Sequence, residues 1–358
     1  MRKITCLVLG ALARNFGRLL SIKRLVSEIS AIKPSFYKNV YDEVMLLEQQ
    51  GLLKMLKAGN NNLIEFDFSS IDLVNALSEL ELQKSAELLD ARKLSASKVA
   101  FTELMLSLSP GTAACVVSGS KSLALNMLEF LIVLPDSVNS REARASTHSA
   151  VNSFSLKTNF KTTTLMLTAL EFRQLLSDAK ANSLKHLIKQ ETCFYNPQLY
   201  WLNFYSMQKQ GLKTVFQEAT GNALDLTRDD VLKTFARHGY AELGGVAETT
   251  GDYCIETAIA AALLQEDARL LEAIPIVLAK NKVNYHLLEY LIAKHGKTGL
   301  MGFLLSTALP YSKILKENLE TRLFLDDLKT ISGNKRFKTR LRITSHDIAS
   351  KLRDYHAT

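Results

Sequence analysis

The 358 residues of this chain exceed what one ordinary hydrophobic core supports, and they predict roughly two or three domains. A hydrophobic content of 47% and a charged content of 22% exclude a disordered or fibrous protein. The formal net charge of +8 at pH 7 favours an anionic partner, either nucleic acid or a membrane surface. No apolar run reaches the roughly 18 residues that cross a bilayer, so we expect no membrane-spanning segment.

The four cysteines are far apart and form no C-x-x-C motif, which argues against a zinc ribbon or a thioredoxin-type site. Scattered thiols fit a reducing compartment, and we expect a cytoplasmic protein. The start of the chain offers an alternative, because MRK followed by ITCLVLGALA imitates a signal peptide. We interpret these residues instead as the first helix of the fold, since the following helices need them for a core.

The first 68 residues have the pattern of three helices and a β-hairpin. A short second helix is predicted over 21–29, and a third runs from its expected N-cap, Ser35, to about Gln50. Two alternating apolar runs follow, 52–57 and 63–68, joined by the sequence AGNNN. Gly and Asn tolerate the positive φ of a hairpin turn. The pattern resembles a winged helix-turn-helix, a module that usually holds a helix against nucleic acid.

The third helix is the predicted contact. Its apolar positions at helical spacing should be buried, and these are Phe36 or Tyr37, Val40, Val44 and Leu47. Polar residues on and before its opposite face would meet bases and phosphates, together with two lysines of the hairpin. The expected contacts are Lys33, Ser35, Lys38, Asn39, Lys54 and Lys57. Asp42 on the same face opposes phosphate binding, and a protein-binding role for the module is the alternative.

Beyond a helical connector, the pattern changes after Pro110 to alternating strands and helices. Strands are predicted over 113–117, 128–134 and 160–167, with a polar, mobile stretch over 136–153. A helix should open at Thr168, and later strand and helix signals follow over 191–195 and from Pro197. From 226 to 309 the periodicity is helical throughout.

Residues 112–205 resemble the nucleotidyltransferase superfamily, which has the polymerase-β-like fold. The likeness rests on a strand ending in Gly119-Ser120, on the strand that carries Glu129, and on a third strand that runs into a helix. Active members carry an Asp-x-Asp pair on the second strand and another carboxylate on the third. Here Met127 takes the first position, and a thioether is a poor ligand for Mg²⁺. The resemblance implies a catalytically dead domain with a vestigial nucleotide site at Gly119, Ser120 and Glu129; an unrelated small α/β domain is the alternative.

The end of the chain contains NKRFKTRLR, where five of nine residues are basic and one is aromatic. Such a cluster can follow a phosphate backbone. Its expected contacts are Lys335, Arg336, Lys338, Arg340 and Arg342. A solvated tail is the alternative interpretation. The helical part also has a weaker resemblance to antitoxins of the abortive-infection type IV systems, which likewise begin with a winged helix.

Together these patterns predict an α+β, mostly helical protein. Its segments are a winged helix over 1–70, a connector over 71–110, a mixed-sheet α/β domain over 111–212, a helical domain over 213–325 and a basic end over 326–358. We expect a non-enzymatic nucleic-acid-binding protein, a DNA-binding transcriptional regulator or antitoxin-like factor, without metal or cofactor. A protein partner or a homodimer is compatible with this hypothesis. The alternatives are an RNA- or ribosome-associated factor and a metal-dependent nucleotidyltransferase, for which Asp136, Glu142 or Glu171 would supply missing carboxylates.

Overall fold

The computed structural model describes residues 1–59, 61–90, 94–117, 126–136, 140–212, 221–240, 252–331 and 343–358. Over these residues the chain is mixed α/β and mostly helical, with two small sheets. It divides into two compact units. The first comprises Met1–Asp178 and Leu187–Phe216, and the second comprises Ala179–His186 and Gln217–Thr358.

The first unit begins with three helices and a three-stranded antiparallel sheet. In chain order the elements are α1 (Lys3–Arg14), β1 (Leu20–Ser21), α2 (Ile22–Ser30), α3 (Tyr37–Gln49), β2 (Leu53–Ala58) and β3 (Asn61–Phe66). The strand order is β1-β3-β2, with Leu20 opposite Ile64 and Leu53 opposite Phe66. Gly59 follows β2 at a φ of +59°, a conformation that glycine adopts without strain, so the predicted hairpin is confirmed.

Apolar positions at helical spacing form the core of this part. The buried side chains include Val8, Leu9, Leu12, Leu25, Ile29, Val40, Val44, Leu47 and Ile64. This list confirms the predicted burial of Val40, Val44 and Leu47. The side chain of Ser21 caps α2 by accepting a hydrogen bond from the backbone N–H of Arg24 at 3.3 Å.

The remaining elements of the first unit surround a four-stranded mixed sheet. They are α4 (Ile71–Asp90), α5 (Lys98–Ser107), β4 (Ala113–Val117), β5 (Met127–Leu134), α6 (Ser140–Thr158), β6 (Lys161–Thr168) and α7 (Ala169–Ser177). After α8 (Ser183–Leu187) come β7 (Glu191–Tyr195) and α9 (Pro197–Lys209). The strand order is β6-β5-β4-β7. Strands β5 and β6 are parallel and are joined through α6, whereas β4 is antiparallel to both of its neighbours.

Aromatic rings fill one side of this sheet. Phe101 lies 4.7 Å from Phe154 and 5.4 Å from Phe194 between ring centroids, and Phe130 lies 5.5 Å from Phe154. The edge-to-face angles of these pairs match the preferred geometry of aromatic packing.

The predicted mobile stretch is wrong for residues 140–153, because they belong to helix α6. Thr147, Val151 and Phe154 recur at steps of four and three residues, and their burial anchors the helix. The polar residues between them face water. Residues 137–139 lie outside the described part of the chain.

The second unit is helical in its described ranges. Besides α8 it contains α10 (Arg228–Arg237), α11 (Ile255–Gln265), α12 (Ala268–Lys280), α13 (Tyr285–Lys294), α14 (Thr298–Ala308), α15 (Lys313–Glu317), α16 (Leu319–Ile331) and α17 (Ser345–Asp354). Thr227 and Thr344 open α10 and α17 with capping boxes. In the residues that the structure describes, no helix of either unit combines the length and apolarity that crossing a bilayer requires.

Candidate nucleic-acid interface

One face of helix α3 packs against the core through apolar side chains and one buried carboxylate. Val40, Val44 and Leu47 face the core, and Glu43 lies between them with only 4% of its surface exposed. The hydroxyl of Thr5 donates a 2.6 Å hydrogen bond to Glu43, and Arg2 forms a 3.0 Å ion pair with it. A buried carboxylate needs such partners, since an unpaired one would be costly. These contacts connect α3 to the start of α1 and fix which face of α3 meets the solvent.

The solvent face of α3 and its N-terminal end carry three aromatic side chains. The exposed fractions are 81% for Phe36, 53% for Tyr37 and 36% for Tyr41. The rings of Tyr37 and Tyr41 stack, with centroids 6.2 Å apart and an interplanar angle of 17°. The prediction that Phe36 or Tyr37 is buried is therefore wrong. The helix begins at Tyr37 and its buried residues begin only at Val40, so Phe36 and Tyr37 precede the part of α3 that packs against the core.

The predicted polar contacts of α3 lie in the same surface region. Lys38 and Asn39 are exposed on the first turn of the helix, and Asp42 is exposed one turn later. Lys33 is exposed in the segment before the helix. The ammonium group of Lys3 lies beside Lys33 and lowers the pKa of Lys33, as expected for two like charges held together. This part of the surface is therefore positively charged.

Ser35 does not cap α3 as predicted. The residue at the N-cap position is Phe36, whose side chain makes no capping hydrogen bond. The hydroxyl of Ser35 instead donates to the backbone carbonyl of Lys33 at 3.1 Å. Ser and Asn side chains often bond the backbone of their own turn in this way, in competition with helix capping. Ser35 thus stabilises the backbone turn that precedes α3.

The two lysines of the hairpin have different surroundings. Lys54 forms a 2.7 Å ion pair with Asp67, which lies just after β3. Burial raises the pKa of Asp67, but hydrogen bonds from Lys54 and Ser69 outweigh it and hold that pKa below its ordinary value. Lys57 is exposed near the turn, opposite Asn62. Lys57 is therefore better placed than Lys54 to meet a phosphate.

The predicted vestigial nucleotide site is described only in part. Glu129 lies on β5 between Val117 of β4 and Thr163 of β6, and 8% of its surface is exposed. Gly119 and Ser120 lie outside the described residues. The basic residues of the C-terminal cluster also lie outside them, namely Lys335, Arg336, Lys338, Arg340 and Arg342.

Two of the three carboxylates that an enzyme would have to recruit, Asp136 and Glu171, are engaged in structural contacts at the ends of β5 and β6, and the third, Glu142, is exposed in the first turn of α6. Asp136 pairs with Arg173 at 2.9 Å and accepts a hydrogen bond from the backbone of α7. Glu171 pairs with Arg144 at 2.9 Å and closes the capping box of α7. In the described residues, no group of three or more His, Cys, Asp or Glu side chains is arranged to hold a metal ion.

Comparison of the chain with protein-family models, curated proteins and solved structures gives no significant match.

Two features of the first unit were not predicted from sequence. One is the exposed aromatic group of Phe36, Tyr37 and Tyr41, although the four-residue spacing of the two tyrosines is visible in the sequence. The other is a buried carboxyl, Glu191, which accepts a hydrogen bond from the hydroxyl of Tyr200. Burial raises the pKa of Glu191 to about 8. No local pattern marks Glu191, because its burial depends on α4 and α9 covering β7.

Proposed function

We propose that this chain binds nucleic acid through the exposed face of α3 and catalyses no reaction itself. The observation that carries the proposal is the arrangement of α1, α2 and α3 with the β1-β3-β2 sheet. This order of elements supports the winged-helix resemblance, and it leaves the face of α3 that carries Lys38 and Asn39 in water. A helix presented in this way is suited to enter a groove or to lie along a strand of nucleic acid.

Charge supports the choice of a polyanion over a neutral partner. The chain carries a net charge of +8. Lys33 precedes α3, Lys38 is on its first turn, and Lys3 of α1 lies beside Lys33. Phosphate contacts from lysine release condensed counterions, so each contact strengthens binding at low salt. DNA, in a regulatory role, is the partner that the sequence pattern favours.

The surroundings of the candidate metal-binding carboxylates support the proposal that the chain is not an enzyme. Phosphoryl transfer by a nucleotidyltransferase needs at least two carboxylates that converge on metal ions. Glu129 is buried within the sheet, and Asp136 and Glu171 are each paired with an arginine. This supports a binding module and not an enzyme.

The test is the salt dependence of binding by the full chain and two charge variants. Fluorescence anisotropy with labelled duplex and single-stranded oligonucleotides should show affinity that falls steeply as salt rises. Lys38→Gln should weaken binding to every sequence and reduce the slope of log K against log salt by about 1. Asn39→Ala should weaken binding to some sequences more than to others.

A matched control is Lys316→Gln, which removes one exposed positive charge from α15 in the second unit. It should leave both affinity and salt slope unchanged. If no nucleic acid binds at low salt, the proposed function is wrong. If binding persists but Lys38→Gln behaves like Lys316→Gln, α3 is not the contact.

A further inference from the structure

The aromatic residues at the start of α3 are not explained by the packing of the protein. Phe36, Tyr37 and Tyr41 lie within one and a half turns, and the first two are more than half exposed. An aromatic ring in water forgoes the free energy that its burial would release. Neighbouring Ile32 is 58% exposed and enlarges the apolar area. Clustered exposure of this kind is typical of a surface that contacts a ligand.

An exposed aromatic ring can stack on the flat face of a nucleobase, but in a duplex these faces are not accessible. The edges of base pairs in a groove present hydrogen-bond donors and acceptors, which Arg, Lys, Asn and Gln side chains read. The faces of the bases are covered by their neighbours in the stack. In an unpaired strand they are available, and aromatic side chains are the usual platforms on which they stack.

The dimensions of the surface fit two successive bases. From Phe36 to Tyr41 the chain advances about 7.5 Å along the helix axis, at 1.5 Å per residue. Stacked bases are about 3.4 Å apart along one strand. The stacked pair of Tyr37 and Tyr41 offers one platform, and Phe36 offers a second at the end of the helix.

The charges around the rings fit a phosphate backbone. Lys38 is exposed next to Tyr37, and Lys33 precedes the helix with the ammonium group of Lys3, from α1, beside it. A phosphate beside these two lysines would relieve their mutual repulsion. Asp42 follows Lys38 by one turn on the same face and repels phosphate, so the backbone is expected to pass at the N-terminal end of α3, beside Lys33 and Lys38.

We infer that the ligand of this surface is a nucleic-acid strand with unpaired bases, which stack on Phe36 and on the Tyr37–Tyr41 pair while Lys33 and Lys38 contact its phosphates. The inference rests on the proposed function and specifies the form of nucleic acid that is bound. Such a ligand differs from that of proteins that recognise base edges in the major groove, because their side chains do not stack on bases.

The experiment compares single strands with the duplex made from the same sequences. Anisotropy titrations of the full chain would use oligonucleotides of about 12 nucleotides, within the usual site size of single-strand binders. DNA and RNA strands are tested separately, each free and annealed to its complement. We expect the single strands to bind at least about tenfold more tightly than the duplexes.

Variants then test the platforms directly. Phe36→Ala should weaken single-strand binding roughly 5- to 100-fold, the usual effect of removing one stacking partner, and should leave weak duplex binding unchanged. Tyr37→Phe keeps the ring and should bind like the natural chain, whereas Tyr37→Ala should not. The control is Tyr311→Ala, because Tyr311 is a tyrosine of similar exposure, 45%, in the second unit.

A strand that contains 2-aminopurine reports stacking itself, since its fluorescence is quenched when the base stacks on a ring. Quenching on binding that disappears in Phe36→Ala supports the inference. Equal or tighter duplex binding, unaffected by Phe36→Ala, overturns the inference but leaves the proposed function standing. Binding to no nucleic acid overturns both. Loss of self-association in Phe36→Ala, without loss of single-strand binding, would assign the surface to a second copy of the chain and overturn the inference.

Discussion

Two groups of aromatic residues in the first unit have opposite surroundings. Phe16, Phe68, Trp201 and Phe204 are buried and contact one another, with centroid distances between 4.9 and 6.3 Å. They connect the N-terminal helices and sheet to α9. The aromatic residues of α3, by contrast, lie at the surface. Both groups include residues three or four apart on a helix, so spacing does not distinguish them.

The difference lies in what covers each helix face. Trp201 and Phe204 on α9 meet Phe16 and Phe68, which other elements supply. On α3 the residues that pack against the core are Val40 and Val44, whereas Tyr37 and Tyr41 remain 53% and 36% exposed. We therefore assign the first group to stability and the second to binding, and mutations can separate the two roles.

The largest expected effect is on the buried group. Phe204→Ala should lower the free energy of unfolding of the first unit by about 3–5 kcal/mol, because it leaves a cavity among five aromatic neighbours. Denaturant unfolding followed by tryptophan fluorescence measures this loss. The chain has one tryptophan, and Trp201 lies in the same cluster, so its signal reports the first unit.

The control is Leu156→Ala on α6, a side chain that is 83% exposed. It should change the free energy of unfolding by less than about 0.5 kcal/mol. A small effect of Phe204→Ala would contradict the division of roles, since the buried group would then be no more important to stability than an exposed leucine.

Sequence patterns predicted the elements that depend on nearby residues. The hairpin was predicted from Gly59 between alternating strands, and the helix start at Thr168 is now seen as a capping box with Glu171. Both signals are local, because a turn and a cap are formed by residues adjacent in sequence. Strands at 113–117 and 128–134 were predicted from continuous apolar runs, which are typical of buried strands, and the observed strands are Ala113–Val117 and Met127–Leu134.

Features that depend on distant elements were not predictable. The polar stretch of α6 is helical because three of its side chains reach a core built by other segments. Phe36 looks apolar in sequence, but whether another element covers it depends on the tertiary structure. At the candidate site, exposure of Lys38 and Asn39 was predicted from helical spacing, whereas the approach of Lys3 to Lys33 joins residues about thirty positions apart.

A second prediction concerns the support of α3. Glu43→Ala should lower the free energy of unfolding of the first unit by about 1–3 kcal/mol, because it removes the acceptor for Thr5 and the partner of Arg2. It should also weaken nucleic-acid binding, since α3 loses a contact with α1. Denaturant unfolding and anisotropy on the same preparation measure both effects. Glu79→Ala, which alters an exposed ion pair with the chain terminus, is the control and should do neither.

A third prediction sets a pH dependence for the buried region near α9. Burial raises the pKa of Glu191 from its ordinary value of 4.5 to about 8. The folded state therefore keeps a proton that the unfolded state releases, and stability falls as pH rises from 4.5 to about 8. The expected slope is about 1.4 kcal/mol per pH unit for this one group.

Glu191→Gln should flatten that slope and make the first unit more stable than the natural chain at pH near 8. Glu81, Lys84 and Tyr200 contribute to the same environment. The Tyr200 hydroxyl donates to the carboxyl of Glu191, and the Lys84 ammonium donates to the backbone carbonyl of Glu191 at 3.0 Å. The measurement is denaturant unfolding at several pH values. An unchanged slope in Glu191→Gln would show that other groups cause the pH dependence.

The last prediction concerns Phe36, where we expect a substitution to stabilise the first unit, although the effect on the free energy of unfolding is the smallest of those predicted. Phe36 occupies the N-cap position with φ −81° and ψ 141°, yet it offers no oxygen to the first backbone N–H groups of the helix. This backbone conformation suits Ser, whose hydroxyl would accept a hydrogen bond there. Phe36→Ser should raise the free energy of unfolding by about 0.5–1 kcal/mol, whereas Phe36→Ala should leave it nearly unchanged. Both variants should weaken single-strand binding. A residue that costs stability but supports binding is what a functional surface predicts. If Phe36→Ser destabilises the first unit, Phe36 contributes to folding, and the contrast with the buried aromatic group fails at that position.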